Sequence, residues 1–150
     1  MFRRLADGER GLAEEMFGAG LDTRRIRVLS IPLWRRAFVA GGSLMVWPAA
    51  TVRADFGDAS VPLSLQATFV HELTHVWQAQ RGVFLPWAKL RAGDSLASYA
   101  YNLEADPAFE GLNIEQQAMV VEHAFLASRG VAAQHPAATY ANLRQPWRQA

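Results

Sequence analysis

The sequence contains no cysteine. This absence excludes disulfide bonds and metal sites built from thiolates, so any transition metal would need histidine, aspartate or glutamate ligands. No stretch reaches the roughly 18 uninterrupted apolar residues of a membrane-spanning helix, and we expect no membrane partner. Residues 1–20 carry scattered charges and lack the apolar segment of a secretory signal. The expected location is therefore the cytoplasm, unless another machine exports the protein.

An excess of charge of one sign is also absent. The 15 basic and 14 acidic residues give a net charge of +1, which argues against a nucleic-acid partner bound through a broad basic field. One cluster of arginines is expected to be a solvated rim, and it consists of Arg24, Arg25, Arg27, Arg35 and Arg36. The 150 residues, 51% of them hydrophobic, fit a single domain, 1–150.

Two long helices are predicted by apolar residues that recur at helical spacing. The first spans about 63–80 and is followed by Gly82, a residue type that commonly ends helices. The second spans about 114–128, and Asn113 with Gln116 forms a capping-box pair at its start. We expect the two helices to pack on each other in an α+β domain with a small N-terminal β element.

Shorter elements are predicted around these helices. Strands are expected at 26–31 and 43–47, as a small sheet or hairpin that precedes the first long helix. Short helices are expected at 9–18, 95–104 and 137–143.

The segment between Gly82 and Gly93 is predicted to be a loop, because Pro86 also interrupts it. It contains the apolar run Val83–Trp87. We expect this run to be buried in the core rather than exposed as a docking patch or substrate lip.

The first long helix contains the segment His71-Glu72-Leu73-Thr74-His75. Residues four apart lie on one face of a helix, so both imidazoles can reach one Zn²⁺ at about 2.0–2.1 Å. Glu72 is rotated from His71 by about 100° and can take a proton from a zinc-activated water. The spacing predicts His71 and His75 as metal ligands and Glu72 as the catalytic carboxylate. A chance occurrence on an amphipathic helix is disfavoured, since the helix is predicted on independent grounds.

A catalytic zinc site needs a third protein ligand and one open position. Metzincins have a glycine and a histidine where this sequence has Gln78 and Arg81, so that class is excluded. Facing helices commonly build metal sites, and Glu115 in the first turn of the second long helix is the preferred third ligand. The alternatives are Glu122, His123, Glu104 and Asp106.

Two tyrosines, Tyr99 and Tyr101, lie between the long helices. Either hydroxyl could donate a hydrogen bond to the oxyanion of a tetrahedral intermediate. We favour the simpler interpretation that both are packing residues with hydrated hydroxyls.

The sequence resembles a bacterial family in three segments. These are HELTHVWQ at 71–78, YAYNL at 99–103 and NIEQQA at 113–118. In order and spacing they resemble short Vgr-related or Rhs-element-associated proteins, which look like zincin metallopeptidases encoded near type VI-like secretion machinery. The resemblance covers about residues 26–126.

This resemblance implies roles for four residues. It implies that His71 and His75 are zinc ligands, Glu72 the catalytic glutamate and Glu115 a third, gluzincin-like ligand. Better-known gluzincins have an aspartate one turn after the third ligand, where this chain has Met119. The groups that orient the imidazoles must then be others, with Glu122, Asn102 or a backbone carbonyl as candidates.

The leading functional hypothesis is a zinc-dependent peptidase acting on a peptide or protein. The alternative is a non-catalytic zincin-fold adaptor of a secretion or Rhs assembly. This alternative is favoured by the short chain, which is expected to leave little sequence for a substrate cleft and its edge strand. A third possibility is a toxin-like effector that acts on one particular protein.

Overall fold

The computed structural model describes residues 1–104 and 108–149. It has the predicted mixed α+β architecture, with a small N-terminal sheet followed mainly by helices. The strands are β1 (Phe2–Arg4), β2 (Arg27–Ile31), β3 (Phe38–Ala40) and β4 (Leu44–Pro48). The α-helices are α1 (Asp7–Phe17), α2 (Leu63–Gln80), α3 (Leu85–Ala92), α4 (Leu96–Tyr99), α5 (Ile114–Ser128) and α6 (Ala137–Asn142). Within these ranges, no helix is long and apolar enough to cross a membrane.

The sheet has the strand order β1-β2-β4-β3. The strands predicted at 26–31 and 43–47 correspond to β2 and β4, which pair in parallel. They are therefore not the two arms of a hairpin. The hairpin is formed by β3 and β4, which turn at Gly41, where φ is +66°. The three-residue strands β1 and β3 are too short to show alternation in the sequence.

The two long helices confirm the prediction at both ends. Helix α2 ends before Gly82, whose φ of +91° favours glycine. Helix α5 begins at the predicted capping box, in which Asn113 Oδ1 accepts a bond from Gln116 N at 2.8 Å and Gln116 Oε1 accepts one from Asn113 N at 3.0 Å.

The core lies between α2 and its neighbours. The α2 side chains Phe69, Leu73 and Val76 are fully buried. Phe69 joins an aromatic cluster with Trp47 of β4 and with Phe56 of the segment between β4 and α2, with ring centroids 4.9 Å apart for Phe56–Phe69 and 4.3 Å apart for Trp47–Phe56. This cluster fixes the orientation of α2 against the sheet.

The segment after α2 differs from the prediction. Residues 85–92 form helix α3 rather than a loop, because Pro86 lies in its first turn, where a missing N–H breaks no helical hydrogen bond. The expected burial of the apolar run is also wrong, since Phe84 is 72% exposed and Trp87 58% exposed, and only Leu85 is buried. The helix expected at 95–104 shortens to α4, because the chain becomes extended at Ala100.

Candidate metal centre

Helices α2 and α5 bring three ligand-type side chains together. His71 and His75 lie one turn apart on α2, with ring centroids 5.0 Å apart. Glu115, in the first turn of α5, is 1% exposed. Its Oε2 lies 3.3 Å from Nε2 of His71 and 3.3 Å from Nε2 of His75. The ligand atoms of these residues all lie within 4.8 Å of one another and could hold a metal ion.

The donor set fits Zn²⁺. Two imidazole nitrogens and one carboxylate oxygen, with one position left open, are the ligands of known catalytic zinc sites. Glu72 lines the same cleft, and its Oε2 is buried without a hydrogen-bond partner among the described residues. A buried carboxylate oxygen without a partner is costly, and a polar group at the centre would satisfy it.

Each imidazole is oriented through its second nitrogen. His71 Nδ1 lies 2.9 Å from Glu122 Oε2, and His75 Nδ1 lies 2.8 Å from Gln78 Oε1. These bonds turn both Nε2 atoms toward Glu115. Glu122 was one of the groups predicted for this role. It contacts His71 on the side away from Glu115, so it orients a ligand and is not part of the ligand cluster.

Gln78 is a site residue that the sequence did not predict. It is 1% exposed, and its Nε2 donates to the carbonyl of Ile114 at 2.9 Å and to Gln117 Oε1 at 2.9 Å. Gln78 therefore connects His75 on α2 to the start of α5, where Glu115 lies. Gln78 lies three residues after His75 on the same helical face, and this spacing could have predicted a contact between the two side chains.

Lys89 of α3 also went unpredicted. Its Nζ donates to Glu115 Oε1 at 2.8 Å. Burial lowers the pKa of Lys89, but the hydrogen bond and the charge of Glu115, together with the nearby Tyr99 and Asp94, outweigh this and raise the pKa above its usual value. The side chain is therefore an ammonium ion.

The charge states of the ligands follow from the same contacts. Burial raises the pKa of Glu115, but the bonds with His71 and His75, the charge of His75 and the bond from Lys89 together lower it by more, so the pKa lies well below the usual range. Burial lowers the pKa of His71, but its bonds to Glu115 and Glu122 raise it to about 9. A metal ion would displace the extra proton of His71, because only the neutral imidazole is a ligand.

The centre lies in a cleft of about 780 Å³. One wall is β3 with the residues before it, and the other includes α3. The apolar part of the lining includes Trp34, Phe38, Leu65, Leu85, Pro86 and Ile114. The described residues thus form both a cleft and an edge strand, although the short chain was expected to leave little sequence for them.

An exposed bridge links the two walls of the cleft. Arg36, which precedes β3, lies 3.0 Å from Asp94 Oδ2, between α3 and α4. Arg36 also donates to the hydroxyl of Tyr99 at 3.2 Å, and this hydroxyl donates to Asp94 at 3.0 Å. Tyr99 lines the cleft with its ring centroid 6.5 Å from that of His71.

The remaining predicted candidates lie elsewhere. The hydroxyl of Tyr101 lies 2.6 Å from His123 Nδ1 and 2.6 Å from the hydroxyl of Tyr140, so Tyr101 and His123 belong to a separate polar cluster. Burial lowers the pKa of His123. Glu104 is exposed and is not part of the ligand cluster. Asp106 lies outside the described residues.

Comparison with known proteins identifies a related domain. No protein-family model matches the chain. The chain is 33% identical over 131 residues to the type VI secretion system spike protein VgrG2b of Pseudomonas aeruginosa PAO1, an alignment that covers 83% of this chain and 13% of the spike protein. The solved effector domain of Pseudomonas aeruginosa VgrG2b has the same overall structure, with a TM-score of 0.72 and 29% identity over 92% of this chain and 79% of that domain. The predicted relation to Vgr-type proteins is thus confirmed: this chain is homologous to the effector domain of VgrG2b.

Proposed function

We propose that this chain is a zinc-dependent metallopeptidase with a minimal zincin-like fold and a gluzincin-like ligand set. The metal ligands are His71, His75 and Glu115, and Glu72 is the catalytic carboxylate. The observation that carries the proposal is the convergence of three ligand atoms within 4.8 Å, in the same cleft as a buried, unpartnered oxygen of Glu72.

In the proposed peptide hydrolysis, the metal and the side chains of the protein have different tasks. Zn²⁺, when bound, polarises the scissile carbonyl and lowers the pKa of water to about 7. Glu72 accepts the proton of the attacking water and later delivers it to the leaving amine. Glu122 and Gln78 hold His71 and His75 in one ring orientation, so the centre does not reorganise during the reaction.

The cleft suits an extended peptide substrate. Strand β3 is the outermost strand on the side of the sheet that lines the cleft, so its free edge can pair with a peptide backbone. The apolar side chains of the lining would receive apolar side chains of the substrate.

The homology supports a role as an exported effector. The related domain is the effector domain of a type VI spike protein. We therefore propose that this chain is delivered by a type VI-like contractile system, in contact with a secretion-system or Rhs partner, and cleaves a protein target after export.

The proposal is tested by metal analysis and peptide cleavage. Purified protein should hold one zinc per chain and cleave members of a broad peptide and protein library. Glu72→Gln should retain the zinc and lose activity by at least about 100-fold, since general base catalysis contributes roughly 10²–10⁴-fold. Glu14→Gln, at an exposed glutamate of α1, is the matched control and should leave both unchanged.

A different result would support the adaptor hypothesis. If the wild type binds one zinc and cleaves nothing in the library, and Glu72→Gln behaves identically, the result favours a non-catalytic accessory over a general peptidase. Recovery of a specific secretion-system partner, unaffected by Glu72→Gln, would then identify its role.

A further inference from the structure

The carboxylate of Glu115 is divided between two partners. Its Oε2 lies 3.3 Å from both imidazole Nε2 atoms and is the carboxylate oxygen that would bind a metal together with them. Its Oε1 accepts a bond from Lys89 Nζ at 2.8 Å. The two oxygens of one ligand therefore have different partners.

Lys89 is also the only lysine in the sequence, since the other 14 of the 15 basic residues are arginines. The two cationic side chains bind carboxylates differently. The planar guanidinium of arginine engages both oxygens of a carboxylate, whereas an ammonium is a point charge that can occupy one. At a carboxylate that must keep one oxygen free for a metal, a lysine is the suitable cation.

We propose that Lys89 is a positioning residue that restricts Glu115 to coordination through Oε2 alone. This inference rests on the proposed function, in which Zn²⁺ occupies the centre. A carboxylate can bind a metal through one oxygen or through both. Because the ammonium holds Oε1, three ligand atoms come from the chain and one position stays open for water or substrate.

The position of Lys89 is set by the backbone. It lies in the last turn of α3, which ends when Gly93 N donates to the carbonyl of Lys89 at 2.9 Å. Glu115 is held in the first turn of α5 by the capping box. Arg36, an arginine that also lines the cleft, is engaged with Asp94 and Tyr99, so it does not substitute for Lys89 at this carboxylate.

The test measures coordination directly, without relying on activity. Wild type, Lys89→Met and Lys89→Arg are loaded with Co²⁺ for visible absorption and with Zn²⁺ for X-ray absorption. Arg91→Met, an exposed change on the same helix, is the matched control. The wild type and Arg91→Met should be four-coordinate, with the intense visible bands of tetrahedral Co²⁺.

The two Lys89 variants should differ from each other. In Lys89→Met both oxygens of Glu115 are free to bind, so the centre should become five-coordinate at one metal per chain. In Lys89→Arg the guanidinium should compete for both oxygens, and the zinc affinity measured by chelator competition should fall by about 10- to 100-fold. Thermal unfolding of the metal-free variants checks that each is folded.

Chemical modification of Lys89 in the folded wild type gives a second test of the proposal, which does not require a substituted protein to fold. Acetylation of the folded, metal-free wild type removes the charge of Lys89, while reductive dimethylation retains it. Acetylated protein should reproduce the five-coordinate spectrum, and dimethylated protein should keep the four-coordinate one.

The experiment separates failure of the Lys89 proposal from failure of the proposed zinc-dependent function. If the wild type binds zinc but Lys89→Met and acetylated protein keep its coordination number, or the wild type is already five-coordinate, Lys89 does not restrict Glu115. If the wild type binds no zinc, the proposed function itself fails.

Discussion

At the scale of single residues, the side chain of Gln78 makes three hydrogen bonds, one within α2 and two to α5. Its Oε1 accepts a bond from His75 Nδ1, and its Nε2 donates to two groups of α5. One amide therefore orients an imidazole of the proposed metal centre and joins the two helices that carry the proposed ligands.

Removing this amide should affect both metal binding and stability. In Gln78→Met, His75 loses its Nδ1 partner and the carbonyl of Ile114 loses a donor, so the zinc affinity should fall by about 10- to 100-fold. The free energy of unfolding of the metal-free protein should fall by about 1–3 kcal/mol. Chelator competition and urea denaturation measure the two effects.

A neighbouring glutamine separates these effects. Gln116→Met removes a capping bond of α5 but contacts no imidazole. It should cost about 1 kcal/mol of stability and leave the zinc affinity unchanged. An equal loss of affinity in both variants would mean that Gln78 acts through helix stability alone.

At the scale of elements, the helices that could be predicted were those long enough for their apolar residues to show the helical period in the sequence. Helices α2 and α5 contain 18 and 15 residues and have clear start or stop signals, and both were predicted at their bounds. The capping box also placed Glu115 in the first turn of α5, which made it the preferred third ligand. Strands of three residues carry no such pattern, and β1 and β3 went unpredicted.

The contacts that complete the site depend on how elements pack. Lys89 reaches Glu115 because α3 is a helix that lies against the start of α5, and neither fact is visible in residues 82–93. The apolar run of that segment suggested burial, but a short helix at the edge of a cleft can bury Leu85 and expose its neighbours. Sequence patterns indicate which face of an element is apolar, but not which element covers it.

The loop that contains Gly57 packs closely against Gly8, at the start of α1, and this contact can be tested by substitution. A Cβ on Gly57 would lie 2.2 Å from the backbone carbon of Gly8, so Gly57→Ala must push the loop away from the start of α1. This should lower the free energy of unfolding by about 1–3 kcal/mol. Equilibrium urea denaturation of the metal-free protein measures the change.

Gly11, in the exposed part of α1, is the matched control. A Cβ there would meet nothing within 4 Å. Gly11→Ala should therefore stabilise the protein by up to about 1 kcal/mol through helix propensity. Equal destabilisation by the two substitutions would contradict the close approach of the loop to α1.

At the scale of the whole molecule, the proposed metal ligands come from distant parts of the chain. His71 and His75 lie in one helix and Glu115 in another, so the complete ligand set exists only in the folded protein. A metal held by all three should bind the folded state far more tightly than the unfolded chain.

Metal removal should therefore lower the melting temperature. With free zinc at about 100 times its dissociation constant, the stabilisation is about 2.7 kcal/mol, or roughly 5–10 °C for a domain of this size. The shift should persist in Glu72→Gln, which keeps every ligand, and disappear in His75→Ala. Calorimetry with and without a chelator measures it, and a shift that survives in His75→Ala would place the metal elsewhere.

The single lysine has a further, practical consequence. A protease that cuts only after lysine has one bond to cleave in this chain, between Lys89 and Leu90. That cut leaves both histidines on one fragment and Glu115 on the other. Whether the two fragments stay associated, and whether zinc holds them together, would show how strongly the metal cross-links the halves of the domain.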